Sequence, residues 1–157
     1  MNTVVSQIPP APRGARGGQI ALLLLFLVSG VSALIYQVCW QRLLFQTFGV
    51  DMESVTVIVS TFMLGLGVGA LAGGQCADRF PGQLLSMFAL IELGIAVFGC
   101  LSPWLIHTVG AATARDSLAL LAIVNFLLLL MPTMLMGATL PILVAYVVRR
   151  YRNIGLR

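Results

Sequence analysis

One acidic side chain lies deep inside a long apolar stretch of this sequence, and its type invites a chemical role. Glu92 stands in the run ALIELGIAVFGCLSPWL at 89–105. An ionisable group inside a membrane is costly and often marks a functional site. Glu92 is therefore a candidate for binding a cationic ligand, carrying a proton or pairing with an arginine of a partner. The alternative is structural, with a protonated or hydrogen-bonded Glu92 packed against Gln37, Tyr36 or Asn125.

Two more intramembrane polar residues, Gln37 and Asn125, share this ambiguity. A four-residue repeat places small or polar side chains on one helical face: Ser29, Ala33, Gln37 and Gln41. This face either lines a polar pocket or places Gln37 in a hydrogen bond to a neighbouring helix, with Tyr36 and Trp40 in the interfacial aromatic belt. We favour the second interpretation. Asn125 is expected to join two helices through a hydrogen bond of about 0.6–2 kcal/mol.

The remaining reactive side chains form no pattern typical of catalysis. Cys39, Cys76 and Cys100 lie in or beside apolar runs without a CxxC pair, which indicates small buried apolar residues. His107 lies near a predicted outer interface and is expected to be exposed. We therefore predict no catalytic residue, no metal site and no bound cofactor, and no enzyme activity for this chain alone.

Composition defines the class of protein that must position these residues. Of the 157 residues, 59% are hydrophobic and 9% are charged, whereas ordinary soluble domains carry about 25% charged residues. The chain is therefore predicted to be an all-α integral membrane protein whose first partner is the lipid bilayer. All nine basic residues are arginines, and the net charge of +4 is interpreted as topology rather than as a nucleic-acid surface.

Hydropathy predicts four transmembrane helices joined by short loops, at about 19–40, 54–76, 84–106 and 118–148. Residues 1–18 are predicted to form a disordered cytoplasmic leader, and residues 149–157 a basic cytoplasmic tail. A loop is expected at 108–114, with Asp116 or Ser117 capping the next helix. The last apolar run contains Pro132 and Pro141, and it is interpreted as one long bent helix because two spans need about 40 residues.

Arginine placement predicts the orientation. With four spans, both termini and the turn at Asp78 and Arg79 share one side of the membrane. That side carries seven of the nine arginines, and the other side carries only Arg42 and Arg115. Positive residues accumulate in the cytoplasm, so both termini are predicted to be cytoplasmic.

The second half of the second span carries a stripe of small residues. Gly65, Gly69 and Gly73 recur every four residues, and Ala70 and Gly74 extend the pattern one position round the helix. Such stripes let two helix backbones approach closely in lipid, so these five residues are predicted to form a helix-packing interface. A nucleotide-binding loop would instead follow a strand, whereas these glycines lie inside an apolar run.

Four sequence blocks resemble one family. They are FLVSGVSALIYQVCWQRLLFQTFGV at 26–50, FMLGLGVGALAGGQCADRF at 62–80, ALIELGIAVFGCLSPWL at 89–105 and LMPTMLMGATLPIL at 130–143. In this order they are similar to the membrane region of bacterial membrane-bound spermidine synthase-like proteins. The turn at 73–82 by itself also resembles a loop of major facilitator transporters, but the basic pair after Gly82 is missing.

The resemblance implies a multi-pass membrane module in a bacterial inner membrane, without the enzyme domain. The family's aminopropyltransferase domain carries a glycine-rich loop and acidic residues, and no position here matches those motifs. Three functions stay open: a non-catalytic subunit of a larger membrane complex, which we favour; a membrane anchor for a separately encoded synthase-like enzyme; and a transporter-like half unit handling polyamines.

Overall fold

The fold is helical throughout the part of the chain that the structure describes. A computed structural model describes residues 13–48, 51–113 and 118–152, and within them only the turn at 80–83 is not helical. The helices are α1 (Arg13–Phe48), α2 (Asp51–Arg79), α3 (Leu84–Thr113) and α4 (Leu118–Arg152). Each contains a stretch of 24 to 28 residues that is long and apolar enough to cross a membrane. The prediction of an all-α chain with four such helices is confirmed.

The helices extend beyond the predicted spans. α1 includes residues 13–18, which were assigned to the leader, and continues to Phe48. α3 continues to Thr113, through most of the predicted loop at 108–114. A helix satisfies its own backbone hydrogen bonds, so it does not end where hydropathy falls but where a breaker or a turn stops it. Residues 1–12, 49–50, 114–117 and 153–157 lie outside the described residues. Both proposed caps, Asp116 and Ser117, are among them.

The chain comprises two compact units, Met1–Ser32 and Ala33–Arg157. The first contains the first half of α1, where large apolar side chains such as Leu23 and Val28 are exposed. The hydroxyl of Ser32 donates a hydrogen bond to the carbonyl of Val28 at 2.9 Å. The second unit contains residues 33–48 of α1 with the three other helices. Every packing contact described below lies within that second unit.

The central helix of the second unit is α4. It packs against both α2 and α3, and half of its apolar stretch is buried, against 28% for α2 and 17% for α3. Pro132 and Pro141 both lie inside this one continuous helix. The contacts pair increasing residue numbers of α2 with increasing numbers of α4, so these two helices run parallel. The tight turn between α2 and α3 reverses the chain.

That turn is closed by backbone hydrogen bonds. The amide of Phe80 donates to the carbonyl of Cys76 at 3.0 Å, and the amide of Gln83 donates to the carbonyl of Phe80 at 3.2 Å. Beside this turn, the guanidinium of Arg149, near the end of α4, forms an ion pair with Asp78 of α2, with 3.4 Å between Nη2 and Oδ1. The carboxyl ends of α2 and α4 therefore lie at the same end of the second unit.

The core lies where the helices meet. Its buried apolar side chains come from all four helices: Trp40, Leu44, Ile58, Phe62, Ile95, Ile106, Leu129 and Met136. The expectation that the cysteines are buried is wrong, because Cys39, Cys76 and Cys100 are all exposed. In a helix with apolar residues on every side, periodicity does not distinguish a core face from a lipid face, which explains the error.

Candidate helix-packing site

The glycine stripe of α2 lies directly against α4. A Cβ atom on Gly65 would overlap the side chain of Thr133, and one on Gly69 would overlap the backbone carbonyl of Met134. A Cβ atom on Gly73 would lie 2.7 Å from the Cα atom of Ala138. Since side chains do not tolerate such distances, only glycine permits this approach.

The approach is reciprocal, because α4 contributes a glycine of its own. A Cβ atom on Gly137 would lie 2.8 Å from the Cα atom of Leu66. Glycines on both helices therefore bring the two backbones together along about two turns of α2. Close backbone contact provides the van der Waals attraction that holds helices together in lipid.

A buried threonine, Thr133, lies at the Gly65 end of this contact. The Thr133 hydroxyl is within 2.9 Å of the Leu129 carbonyl and 2.8 Å of the Leu130 carbonyl on its own helix, and 3.5 Å from the Thr61 carbonyl on α2. Thr133 and Thr61 are both fully buried. Each satisfies its hydroxyl mainly on its own helix, which lets a polar group lie in an apolar interface without a large penalty. The sequence analysis did not single out either threonine.

The five residues of the predicted interface separate onto two faces. Gly65, Gly69 and Gly73 are buried against α4, whereas Ala70 is exposed and Gly74 is partly buried. A Cβ atom on Gly74 would meet no other atom within 4 Å, and the same holds for Gly67. We call Gly67, Ala70 and Gly74 the open face of α2. A second helix can reach this open face, but it cannot reach the buried glycines while α4 covers them.

The second half of α1 is attached to α3 by aromatic side chains rather than by glycine contact. Trp40 is 1% exposed, and its indole Nε1–H donates to the Ser102 hydroxyl at 2.8 Å. Ser102 in turn donates to the Gly99 carbonyl at 2.9 Å. The Trp40 ring also contacts one aromatic ring on each of three helices. The distances between ring centroids are 5.5 Å to Tyr36, which is stacked, 6.0 Å to Phe62, and 5.8 Å to Phe98, which is edge-on.

The assignment of Trp40 to an interfacial aromatic belt is therefore wrong. A belt residue places its ring at the membrane surface, whereas the Trp40 ring is enclosed by its neighbours. Tyr36 is half-buried, and its ring fills the space above Gly99, where a Cβ atom would overlap it. The contacts with Ser102 and Phe62 were missed in the sequence because nothing in one helix specifies the residue opposite it on another.

Glu92 is half-buried in α3 and makes a polar interaction. Gly94, two residues further on, lies against Leu135 of α4, which fixes the level of Glu92 on that helix. Asn125 lies ten residues before Leu135, about 15 Å along α4. The Tyr36 ring lies at Gly99, about 10 Å beyond Glu92 along α3. Neither Asn125 nor Tyr36 is therefore at the level of Glu92.

The other polar residues are dispersed. Asn125 is fully buried in α4; its Oδ1 atom accepts no hydrogen bond from the described residues, although the residue makes another polar interaction. Gln37 is half-buried next to Tyr36, and His107 is exposed, as expected. Arg79 is exposed, and the Asp78 side chain is 86% exposed in its pair with Arg149. An ion pair so open to solvent stabilises little.

These side chains do not assemble a reaction centre. No group of three His, Cys, Asp or Glu side chains converges on a possible metal position among residues 13–48, 51–113 and 118–152. The features built by several helices at once are the glycine contact of α2 with α4 and the aromatic cluster around Trp40. The arrangement can pack helices, and it leaves one small-residue face open.

Comparison with known proteins adds a relationship to this geometry. The chain is similar to a polyamine aminopropyltransferase. It is 28% identical over 141 residues to polyamine aminopropyltransferase 1 of Streptomyces coelicolor, and the match covers 90% of this chain and 25% of that protein. The chain thus spans about a quarter of the length of this relative. No family model and no solved structure matches.

Proposed function

We propose that this chain is a non-catalytic subunit of a larger membrane protein complex in the bacterial inner membrane, and that it associates through the open face of α2. The observation that carries the proposal is the division of the small residues onto two faces. The buried glycines already pack on α4, whereas Gly67 and Gly74 have empty space above them. Small residues next to empty space allow a further helix to approach closely.

The experiment is purification of the tagged full chain from native membranes in mild detergent, with mass spectrometry of the proteins that accompany it. A larger membrane protein in fixed stoichiometry is the expected result. The variant Gly74→Leu, combined with Ala70→Leu, should remove that partner while the chain still inserts and folds. Recovery of the chain alone, or only with copies of itself, would overturn the proposal and direct attention to Glu92 and transport.

A matched control is available on α1. Gly30 also has no atom within 4 Å of its Cβ position, so Gly30→Leu adds the same bulk as Gly74→Leu, the larger of the two changes on α2, to a different helix. Partner recovery should survive this change. Equal loss with Gly30→Leu and with the α2 variant would show that added bulk, rather than the open face, reduces recovery.

The similarity to polyamine aminopropyltransferase 1 favours a second candidate, a membrane anchor for a separately encoded aminopropyltransferase-like enzyme. The relative's name describes an enzyme, and this chain spans about a quarter of its length. The same purification tests this candidate. If the accompanying protein transfers aminopropyl groups to a polyamine acceptor in solution and follows the chain to membranes, the anchor function holds. A partner without that activity would exclude it.

A further inference from the structure

Positive charge is in excess at the end of the second unit where α2 and α4 finish beside the turn at 80–83. α2 ends in Asp78 and Arg79, and the last residues of α4 include Arg149, Arg150 and Arg152. The ion pair of Arg149 with Asp78 shows that these two helix ends lie side by side. Asp78 is the one acidic residue that the described chain has at this end, so a single carboxylate opposes four arginines.

Two of these guanidinium groups are available to a further anion. Arg79 is exposed, and it makes no hydrogen bond or ion pair with any of the residues that the structure describes. Arg149 is partly exposed, and its only described acidic neighbour is the largely exposed carboxylate of Asp78. An ion pair so open to solvent holds its arginine weakly. Each guanidinium therefore keeps N–H donors for a second acceptor.

Exposed apolar side chains accompany both arginines. The apolar stretch of α2 ends at Arg79 and that of α4 ends at Arg149, so both lie where a membrane changes from hydrocarbon to headgroups. Phe80 directly follows Arg79, Val148 directly precedes Arg149, and both apolar side chains are about half exposed. An acidic soluble protein would neutralise the charge but leave this apolar surface in place. A lipid supplies a charged headgroup and acyl chains together.

We propose that the adjoining ends of α2 and α4 bind phospholipids of net negative charge. Phosphate oxygens accept hydrogen bonds from Arg79 and Arg149, and charge-assisted bonds of this kind are among the strongest that proteins make. Phe80 and Val148 contact the acyl chains of the same lipids. A zwitterionic lipid is disfavoured, because its own ammonium cancels the phosphate charge. The proposal does not depend on association through the open face of α2.

The test measures lipid retention by native mass spectrometry of the purified full chain, with phosphatidylglycerol or phosphatidylcholine of identical acyl chains added to the micelles. The glycerol lipid should be retained at least roughly tenfold more tightly, since each basic residue near an anionic surface contributes about a factor of five. Added salt should reduce this preference by screening the charges. Equal retention of the two lipids would overturn the proposal.

Variants of opposite sign test the charge directly. Arg79→Gln and Arg149→Gln should each weaken retention of phosphatidylglycerol about fivefold and leave phosphatidylcholine unchanged. Asp78→Asn should strengthen retention of phosphatidylglycerol, because it removes the opposing carboxylate and releases Arg149. A gain of binding cannot result from unfolding, and circular dichroism checks the fold of the two weakened variants. An undiminished preference in both arginine variants, or no gain with Asp78→Asn, would contradict the assignment.

Arg42→Gln is the matched control, because it removes the same charge from the opposite end of the second unit. Arg42 is exposed, and nearby Trp40 bonds Ser102, which lies about 27 Å along α3 from Leu84. This variant should keep the preference, and an equal loss would show that net charge alone determines retention. A further arm adds soluble glycerol phosphate. Displacement of the lipid by an equal concentration of this anion would show a soluble-phosphate site and overturn the lipid assignment.

Discussion

Two helix contacts in this molecule are built in opposite ways. α2 and α4 approach until glycine is the only residue that fits, at Gly65, Gly69 and Gly73. The second half of α1 is attached to α3 through large side chains, with Trp40 hydrogen-bonded to Ser102 and the Tyr36 ring above Gly99. The first contact uses backbone proximity, and the second uses an aromatic bridge between separated backbones.

Because the two contacts are built differently, they should respond differently to side-chain substitution. Backbone atoms have few ways to move aside, so the α2–α4 contact should be intolerant of any added atom. An aromatic bridge occupies a defined volume, so the α1–α3 contact should be intolerant of lost atoms. We therefore expect added side-chain atoms to be the main threat to the α2–α4 contact, and removal of aromatic rings to be the main threat to the α1–α3 contact.

The largest effect is expected for Gly69→Leu. Even a Cβ atom at this position overlaps the Met134 carbonyl, and backbone can yield only if the helices separate. We expect α2 and α4 to lose their contact, and the helical fold to unfold at markedly lower dodecyl sulfate concentration, followed by circular dichroism. Even Gly69→Ala should cost about 1–3 kcal/mol of unfolding free energy.

Gly67→Leu is the comparison for this prediction. Gly67 lies two residues away on the same helix and has no atom within 4 Å of its Cβ position. Its variant should unfold like the native chain. If Gly69→Leu were as stable as Gly67→Leu, the close α2–α4 approach described above would be incorrect.

The second effect in size is expected for Trp40→Ala. Removing this buried ring deletes its contacts with Tyr36, Phe62 and Phe98 and leaves a cavity. A loss of about 3–5 kcal/mol of unfolding free energy is expected. Trp104 supplies the internal reference because it is exposed at 66%, and Trp104→Ala should change stability little. Similar losses for the two tryptophans would mean that Trp40 does not bridge the helices.

The smallest of the three effects is expected for Ser102→Ala. The change removes the acceptor of the Trp40 indole N–H but keeps the ring in place. A loss of about 1 kcal/mol is typical for an interhelical hydrogen bond in a membrane protein. The tryptophan fluorescence spectrum should also shift, because the environment of the Trp40 indole changes. Ser86 is exposed on α3, so Ser86→Ala should produce neither change. An effect as large as that of Ser102→Ala would show that the Trp40–Ser102 hydrogen bond is not the cause of the lost stability.

Much of the fold follows from residue types read in one dimension. The low charge content and four long apolar runs require helices, since only a helix satisfies its backbone within its own segment in lipid. The four-residue spacing of Gly65, Gly69 and Gly73 requires one bare stripe on α2. This stripe allows a second helix backbone to approach closely, because glycine has no side chain to keep the two backbones apart.

Only the tertiary structure decides which helix lies against each face of α2. The spacing of the small residues does not say that α4 takes one face of α2 while Gly67 and Gly74 stay open. Trp40 has the same amphipathic ring at a membrane surface and inside a core, so its burial depends on Phe62 and Ser102, which are distant in sequence. Likewise, the exposure of the three cysteines follows from which helix faces meet. Sequence periodicity defines a face, whereas the partner of that face depends on how several helices pack at once.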